Sequence, residues 1–183
     1  MRATSFLSIG LSIILLTFSS CKKNNTANCG NNVVCALLNG NTFSGDTYST
    51  TSGSQPWQMG SYAILNKANG QLTIIGGQGA TSTWVTLNIS TSVKQDSTYS
   101  VTSGSLAADY YTPNPNNVPI LPIYQWQDSG SLGTGTLTIT LLDSVNNKVS
   151  GTFTGLVLEA NNGQTPQAET FTNGYFTNLP LTY

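Results

Sequence analysis

Thr136-Leu137-Thr138-Ile139-Thr140-Leu141 is the stretch on which the fold turns. Apolar and hydroxyl side chains alternate strictly along it, the period of a strand with one buried and one wetted face. This predicts Leu137, Ile139 and Leu141 on the buried face and the threonines on the other. Asp143-Ser144-Val145-Asn146-Asn147 follows, a run of residues that accept tight turns. Beyond it Val149, Phe153 and Val157 recur on one face, with Gly151 and Gly155 between them. The two runs together read as an antiparallel hairpin.

Outward from this hairpin, strands are predicted at Cys35 to Leu38, Tyr62 to Leu65, Leu72 to Gly76, Thr83 to Ser90, Thr98 to Val101, Leu106 to Thr112, Tyr124 to Gln127 and Thr170 to Thr177. Short separators such as Asn39-Gly40, Asn69-Gly70 and Asn162-Gly163 join several of them. Gly76-Gly77-Gln78-Gly79 reads as a hairpin loop. Apolar residues show no helical period. Many short strands at this spacing predict an all-β domain, an antiparallel β-sandwich with a β-barrel as the alternative. Pro113 to Pro122 holds four prolines and is expected as a surface loop or edge crossing.

The chain has 183 residues, of which 13 are charged and 66 are Ser, Thr or Asn. Low charge alone would suit a disordered chain, but 17 aromatics and 38% apolar residues supply a core. The length suits one domain behind a removable leader.

That leader is residues 1–20: a basic start at Arg2, an apolar run from Phe6 to Phe18, then Ser19 and Ser20 before Cys21. The run is 13 residues long, shorter than the roughly 18–20 needed to span a bilayer, so the segment reads as a secretory signal peptide. Phe18-Ser19-Ser20-Cys21 resembles a bacterial lipobox. The resemblance implies cleavage before Cys21 and its acylation by palmitate or similar chains; an ordinary signal peptide leaving a free thiol is the alternative. Each buried CH₂ contributes roughly 0.8 kcal/mol, so several chains would hold the protein on a membrane. Lys22 to Asn28 is polar and aperiodic, and residues 21–32 are expected as a lipidated tether to one β-domain at 33–183. Cys29 and Cys35 are expected to form a disulfide, because an exported protein meets an oxidising compartment; two unpaired thiols are the alternative. Two thiolates without histidine leave zinc short of ligands.

Asn39-Gly40 followed by Phe43, the pair Tyr110-Tyr111, Gly135-Thr136-Leu137-Thr138-Ile139-Thr140, Ser150-Gly151-Thr152-Phe153 and Thr172-Asn173-Gly174-Tyr175-Phe176 occur in that order. In this the chain resembles a group of small, uncharacterised lipoproteins of the Bacteroidota, over most of its length after the leader. The resemblance carries no activity with it. It does imply a location: acidic residues after the lipid cysteine direct such proteins to the cell surface, whereas Lys22 and Lys23 stand here. The expected place is the outer membrane's inner leaflet, facing the periplasm.

After the leader there is neither histidine nor arginine, and five lysines face seven carboxylates, a net charge of −2. A Ser-His-Asp or Cys-His site is therefore excluded, as are bidentate phosphate clamps and a basic nucleic-acid footprint. No cofactor motif is present, and the Asn114 to Asn117 loop offers calcium amide oxygens without a carboxylate. Asp109, Asp128 and Glu159 are candidates for a glycosidase pair, but nothing in their spacing selects two. The expectation is a non-enzymatic envelope domain that binds or builds. Its candidate ligand residues are aromatic: Trp84, set opposite the apolar series Val85, Leu87 and Ile89; Trp57 in a turn; and Trp126 with Tyr124 between glutamines, together with Tyr111. Beside hydroxyl and amide groups these could stack on a sugar ring, making a glycan the candidate partner and an envelope protein the other; the alternative is that they pack against a second sheet or loop. Asp96-Ser97-Thr98 and Asp143-Ser144-Val145 resemble the acceptor pattern for O-glycosylation of exported proteins in the Bacteroidota, making Ser97 and Ser144 candidate sites.

Overall fold

The structure, a computed structural model, describes residues 26–49, 60–79, 83–112, 124–127, 134–160 and 168–183. The leader, Cys21, Trp57, Asp128 and the Pro113 to Pro122 segment lie outside these residues. Within them the chain forms β1 (Val34–Leu38), β2 (Asn41–Ser44), β3 (Tyr62–Leu65), β4 (Leu72–Gln78), β5 (Thr83–Ile89), β6 (Ser97–Ser100), β7 (Leu106–Thr112), β8 (Tyr124–Gln127), β9 (Thr136–Asp143), β10 (Lys148–Thr154), β11 (Leu156–Ala160) and β12 (Ala168–Thr182). The described residues contain no helix.

All twelve strands belong to one sheet, in the order β11-β8-β7-β5-β4-β3-β12-β10-β9-β6, with β1 and β2 attached beside β12. A further pairing of β11 with β12 returns the path to its start, so the sheet is nearly closed and barrel-like. The all-β, antiparallel expectation holds, in the barrel form rather than the sandwich. Only β12 with β3 pairs in parallel among the named strands. Closure suits this sequence because it removes most of the exposed edge that a charge-poor chain could not guard with lysines.

The strand β12 is the spine. Its start pairs with β11, its middle with β1 on one side and β10 on the other, and its last residues with β3. Two Gly–Phe pairs lock it to β10. In register, Gly151 faces Phe176 and Phe153 faces Gly174. A Cβ on Gly151 would come within 2.6 Å of the Phe176 ring, and one on Gly174 within 2.4 Å of the Phe153 ring. Each ring thus lies over the bare backbone of the other strand, burying it and covering a residue that would otherwise weaken the sheet.

Backbone irregularities correct three sequence readings. Between β9 and β10 the register shifts by one residue, so Leu142, not Leu141, continues the buried face of Leu137 and Ile139 and packs against the core. After Thr154, Gly155 takes φ +69 and resets the alternation; Leu156 and Leu158 are buried where Val157 was expected. Gly76 to Gln78 belong to β4 rather than to a loop, since the bare Gly76 Cα lets Val34 approach: a Cβ there would stand 2.6 Å from the Val34 Cβ.

Alternate residues of β5, Val85, Leu87 and Ile89, are at most 1% exposed and join Leu72, Ile74, Leu137 and Ile139 in one core. Burying each such side chain stabilises the fold by roughly 1.5–3 kcal/mol. Phe43, Tyr110 and Phe171 meet edge to face within it, with ring centroids 5.3–6.3 Å apart. Burial, with the Glu169 charge adding to it, pushes the Tyr110 phenol up to about 12.

The segment before β1 is docked from Ala27 onward. Cys29 and Cys35 are joined, with sulfurs 2.03 Å apart, and Ala27, Cys35 and Leu37 form a second small buried cluster against Tyr175. The Tyr175 hydroxyl accepts from the Cys29 N–H at 2.9 Å and donates to its carbonyl at 3.0 Å, while the Asn32 N–H donates to the Thr177 carbonyl. Ala27, Cys29 and Asn32 are thus tied to the body, because the disulfide, the Tyr175 clamp and the Thr177 carbonyl give this polar stretch partners that its sequence does not display.

Candidate functional site

The outward face of β6, β9, β10 and β12 carries a cross-strand row of hydroxyl side chains. Register places Thr98 opposite Thr138, Thr138 opposite Thr152 and Thr152 opposite Tyr175. A second row sets Ser100 opposite Thr136 and Thr136 opposite Thr154. These residues face out because their strand neighbours, Leu137, Ile139 and Phe153, claim the core. The hydroxyls of Thr98 and Thr138 share a hydrogen bond of 2.8 Å.

A crease turns this face into a groove. The ladder from β10 to β12 lapses after Phe153 and Gly174 and resumes as β11 at Leu156 and Phe171. At the break Gly155 (φ +69) and Asn173 (φ +50) are both left-handed. Each strand takes one extra residue there, so the buried side stays buried while the sheet bends. The resulting groove has a volume of about 330 Å³ and is lined by Thr136, Thr138, Thr152, Thr154, Asn173 and Tyr175 over Phe153 and Gly174. Among the described residues that line it, none is charged.

The face of Trp84 is the other outward surface. Trp84 is half-buried, with Thr86 and Asn88 on the same side of β5. Asn88 accepts from the Thr73 hydroxyl at 2.8 Å, and Thr86 reaches the Asp109 carboxylate at 3.5 Å. Register places Gly77, Trp84, Tyr111 and Gln125 in one row, so Trp84 and Tyr111 are neighbours across strands. Trp126 stands opposite the buried Tyr110, and Tyr124 opposite Thr112, positions of the other parity. The backbone therefore groups Trp84 with Tyr111 and separates that pair from Trp126 and Tyr124.

The adjoining row brings two of the candidate carboxylates into line. Asp109 pairs with Gln127, and Gln127 with Glu159, so the acids sit in one row two strands apart, roughly 9–10 Å along the backbone. Apart from this row, a larger cavity of about 540 Å³ lies between Leu65, Val93, Leu142 and Tyr183. At that cavity Lys67 Nζ lies 3.7 Å from the centroid of the Tyr183 ring, and the Tyr183 hydroxyl donates to the Ser144 carbonyl.

Ser144 is exposed in the β9–β10 turn, which Asp143 holds by accepting from Val145 and Asn146; those bonds, that of the Asn146 side chain foremost, hold its carboxyl below the usual range. Ser97 is half-buried at the start of β6, its hydroxyl bonded to the Gln95 carbonyl at 3.4 Å. Among the described residues no cluster of three or more His, Cys, Asp or Glu could hold a metal ion, and no helix is long and apolar enough to cross a membrane.

The groove was not anticipated from the sequence. Its signal was present in the threonines assigned to the wet face of Thr136 to Leu141, but their alignment with Thr98, Thr152 and Tyr175 depends on register. The model of the family described as Domain of unknown function (DUF6252) matches residues 31–180, and the chain belongs to that family. No curated protein and no solved structure matches it.

Proposed function

We propose that this chain is a lipid-anchored protein of the cell envelope, held through Cys21 at the periplasmic face of the outer membrane, whose β-domain binds a ligand and performs no chemistry. The leader and its Phe18-Ser19-Ser20-Cys21 end support the anchor. The binding reading is carried by one observation: the barrel presents outward side chains rich in hydroxyl and amide groups, with Trp84 among them, on a rigid sheet almost without charge. Such a surface suits an uncharged ligand that is itself rich in hydrogen-bonding groups, of which carbohydrate is the plainest class.

Two measurements test this. Cys21→Ser should move the protein from the membrane to the soluble fraction and abolish acyl labelling; continued membrane attachment of the variant, with no label on the parent, refutes the anchor. A glycan-binding screen on the full chain should return ligands, and an empty screen refutes carbohydrate as the ligand. The row shared by Asp109 and Glu159 favours a second reading, a glycosidase. Hydrolysis of a bound glycan that stops on Asp109→Asn would select it.

A further inference from the structure

We infer that the creased groove of β9, β10 and β12 is the binding site of a neutral, polyhydroxylated chain, an uncharged glycan strand lying across the sheet. This rests on the binding reading above and assigns it a place and a ligand chemistry.

The lining carries the chemistry. Four threonines, Asn173 and Tyr175 surround the groove, and no ammonium or carboxylate is among them. Among the described lining residues an anionic ligand would find no countercharge, and an acyl chain would find hydroxyls where it needs apolar surface. Threonine offers a hydroxyl able to donate once and accept twice, beside a methyl group. A sugar ring presents the complementary pair, hydroxyls at its rim and C–H groups on its face.

Geometry favours a strand over a single sugar. The row Thr98, Thr138, Thr152, Tyr175 crosses four β-strands, about 14 Å at the usual interstrand spacing. Its far end is fixed: the Tyr175 hydroxyl is spent on the Cys29 backbone, which holds the ring as a wall rather than a mobile side chain. The crease made by Gly155 and Asn173 lies alongside, giving depth to what would otherwise be a flat sheet. Because the threonines stand on regular strands with their neighbours in the core, the hydroxyls are held in place before a ligand arrives, which lowers the ordering cost of binding.

The test uses the full chain purified in detergent and a panel of neutral hexasaccharides (gluco-, xylo-, manno- and N-acetylglucosamine series) with one sulfated hexasaccharide, read by calorimetry. Thr138→Val with Thr152→Val removes two hydroxyls while keeping shape and strand propensity. The expected result is binding of at least one neutral series, unchanged between 50 and 500 mM salt, and weakened about tenfold or more by the double variant at an unaltered melting temperature. Thr42→Val, on the exposed side of β2 and outside the groove, should leave this affinity within about twofold. Loss of binding on Trp84→Ala with no effect of the threonine variant overturns the groove while sparing the binding reading. Preference for the sulfated chain overturns the neutral chemistry, and no binding by any chain overturns both.

Discussion

Replacing Gly151 by Ala adds one methyl group at the point where β9, β10 and β12 are most tightly keyed. The new Cβ would stand 2.5 Å from the Thr138 carbonyl oxygen and 2.6 Å from the tip of the Phe176 ring, both well inside contact distance. The carbonyl belongs to the β9 ladder, and Phe176 is 1% exposed within the core cluster, so neither yields without moving its neighbours. Overpacking of this kind costs about 1–3 kcal/mol. Against it stands a gain of roughly 0.4–1 kcal/mol, because alanine narrows the unfolded ensemble. The net expectation is a loss of about 1–2 kcal/mol, a fall of roughly 2–8 °C in melting temperature for a chain of this size. Gly30→Ala is the matched control: nothing lies within 4 Å of its Cβ position, so only the unfolded-state gain remains and stability should rise slightly. Thermal denaturation followed by circular dichroism measures both. Equal melting temperatures for Gly151→Ala and the parent would refute the claim that the ring of Phe176 requires a bare backbone beneath it.

Two further outcomes follow from other contacts. Glu169 is half-buried, and burial raises its carboxyl above the ordinary range despite the hydrogen bond donated by the Asn39 side chain. A raised acid favours the folded state when protonated, so its contribution is complete below the unfolded carboxylate range and fades as pH rises through the folded value. Glu169→Gln should therefore stabilise at pH 7 and not at pH 3; solvent screening limits the effect to about 0.5 kcal/mol, and a variant that melts lower at pH 7 contradicts it. Removing the Cys29–Cys35 bond, by reductant or by the double alanine variant, opens a seven-residue loop and should cost roughly 2 kcal/mol, or about 4–8 °C in melting temperature; no shift in either case would show that the docked segment holds without it.

Much of the fold was legible because strand alternation is a local property. The limits of Tyr62–Leu65, Leu106–Thr112 and Tyr124–Gln127 agree with the sequence reading to the residue, and Val85, Leu87 and Ile89 are buried as their spacing predicts. What local pattern cannot show is where a strand steps out of phase. The shift past Thr140, the left-handed Gly155 and the left-handed Asn173 and Asn178 each change which residue faces the core. β2 was missed because Asn41–Ser44 has a single buried apolar residue, Phe43, and is completed by pairing with β1. For the same reason the groove was out of reach: its threonines come from separate strands, and a one-residue slip in any of them would scatter the row. Trp84 and Tyr111 were singled out for their chemistry, yet their adjacency is set by the β5–β7 register alone.

The docking of Ala27 and Cys29 would shorten the leash of the proposed anchor. With the chain held at Ala27, the lipid proposed on Cys21 would be separated from the barrel by residues 22–26 alone, a reach of at most about 20 Å where twelve free residues would allow about 40 Å. Tyr175, the clamp that takes up this slack, is also a wall of the groove. The docked segment and the groove therefore meet at one side chain. On the proposed anchor, so short a reach would hold the groove within a few nanometres of the lipid headgroups, where it would meet a polymer lying along the membrane.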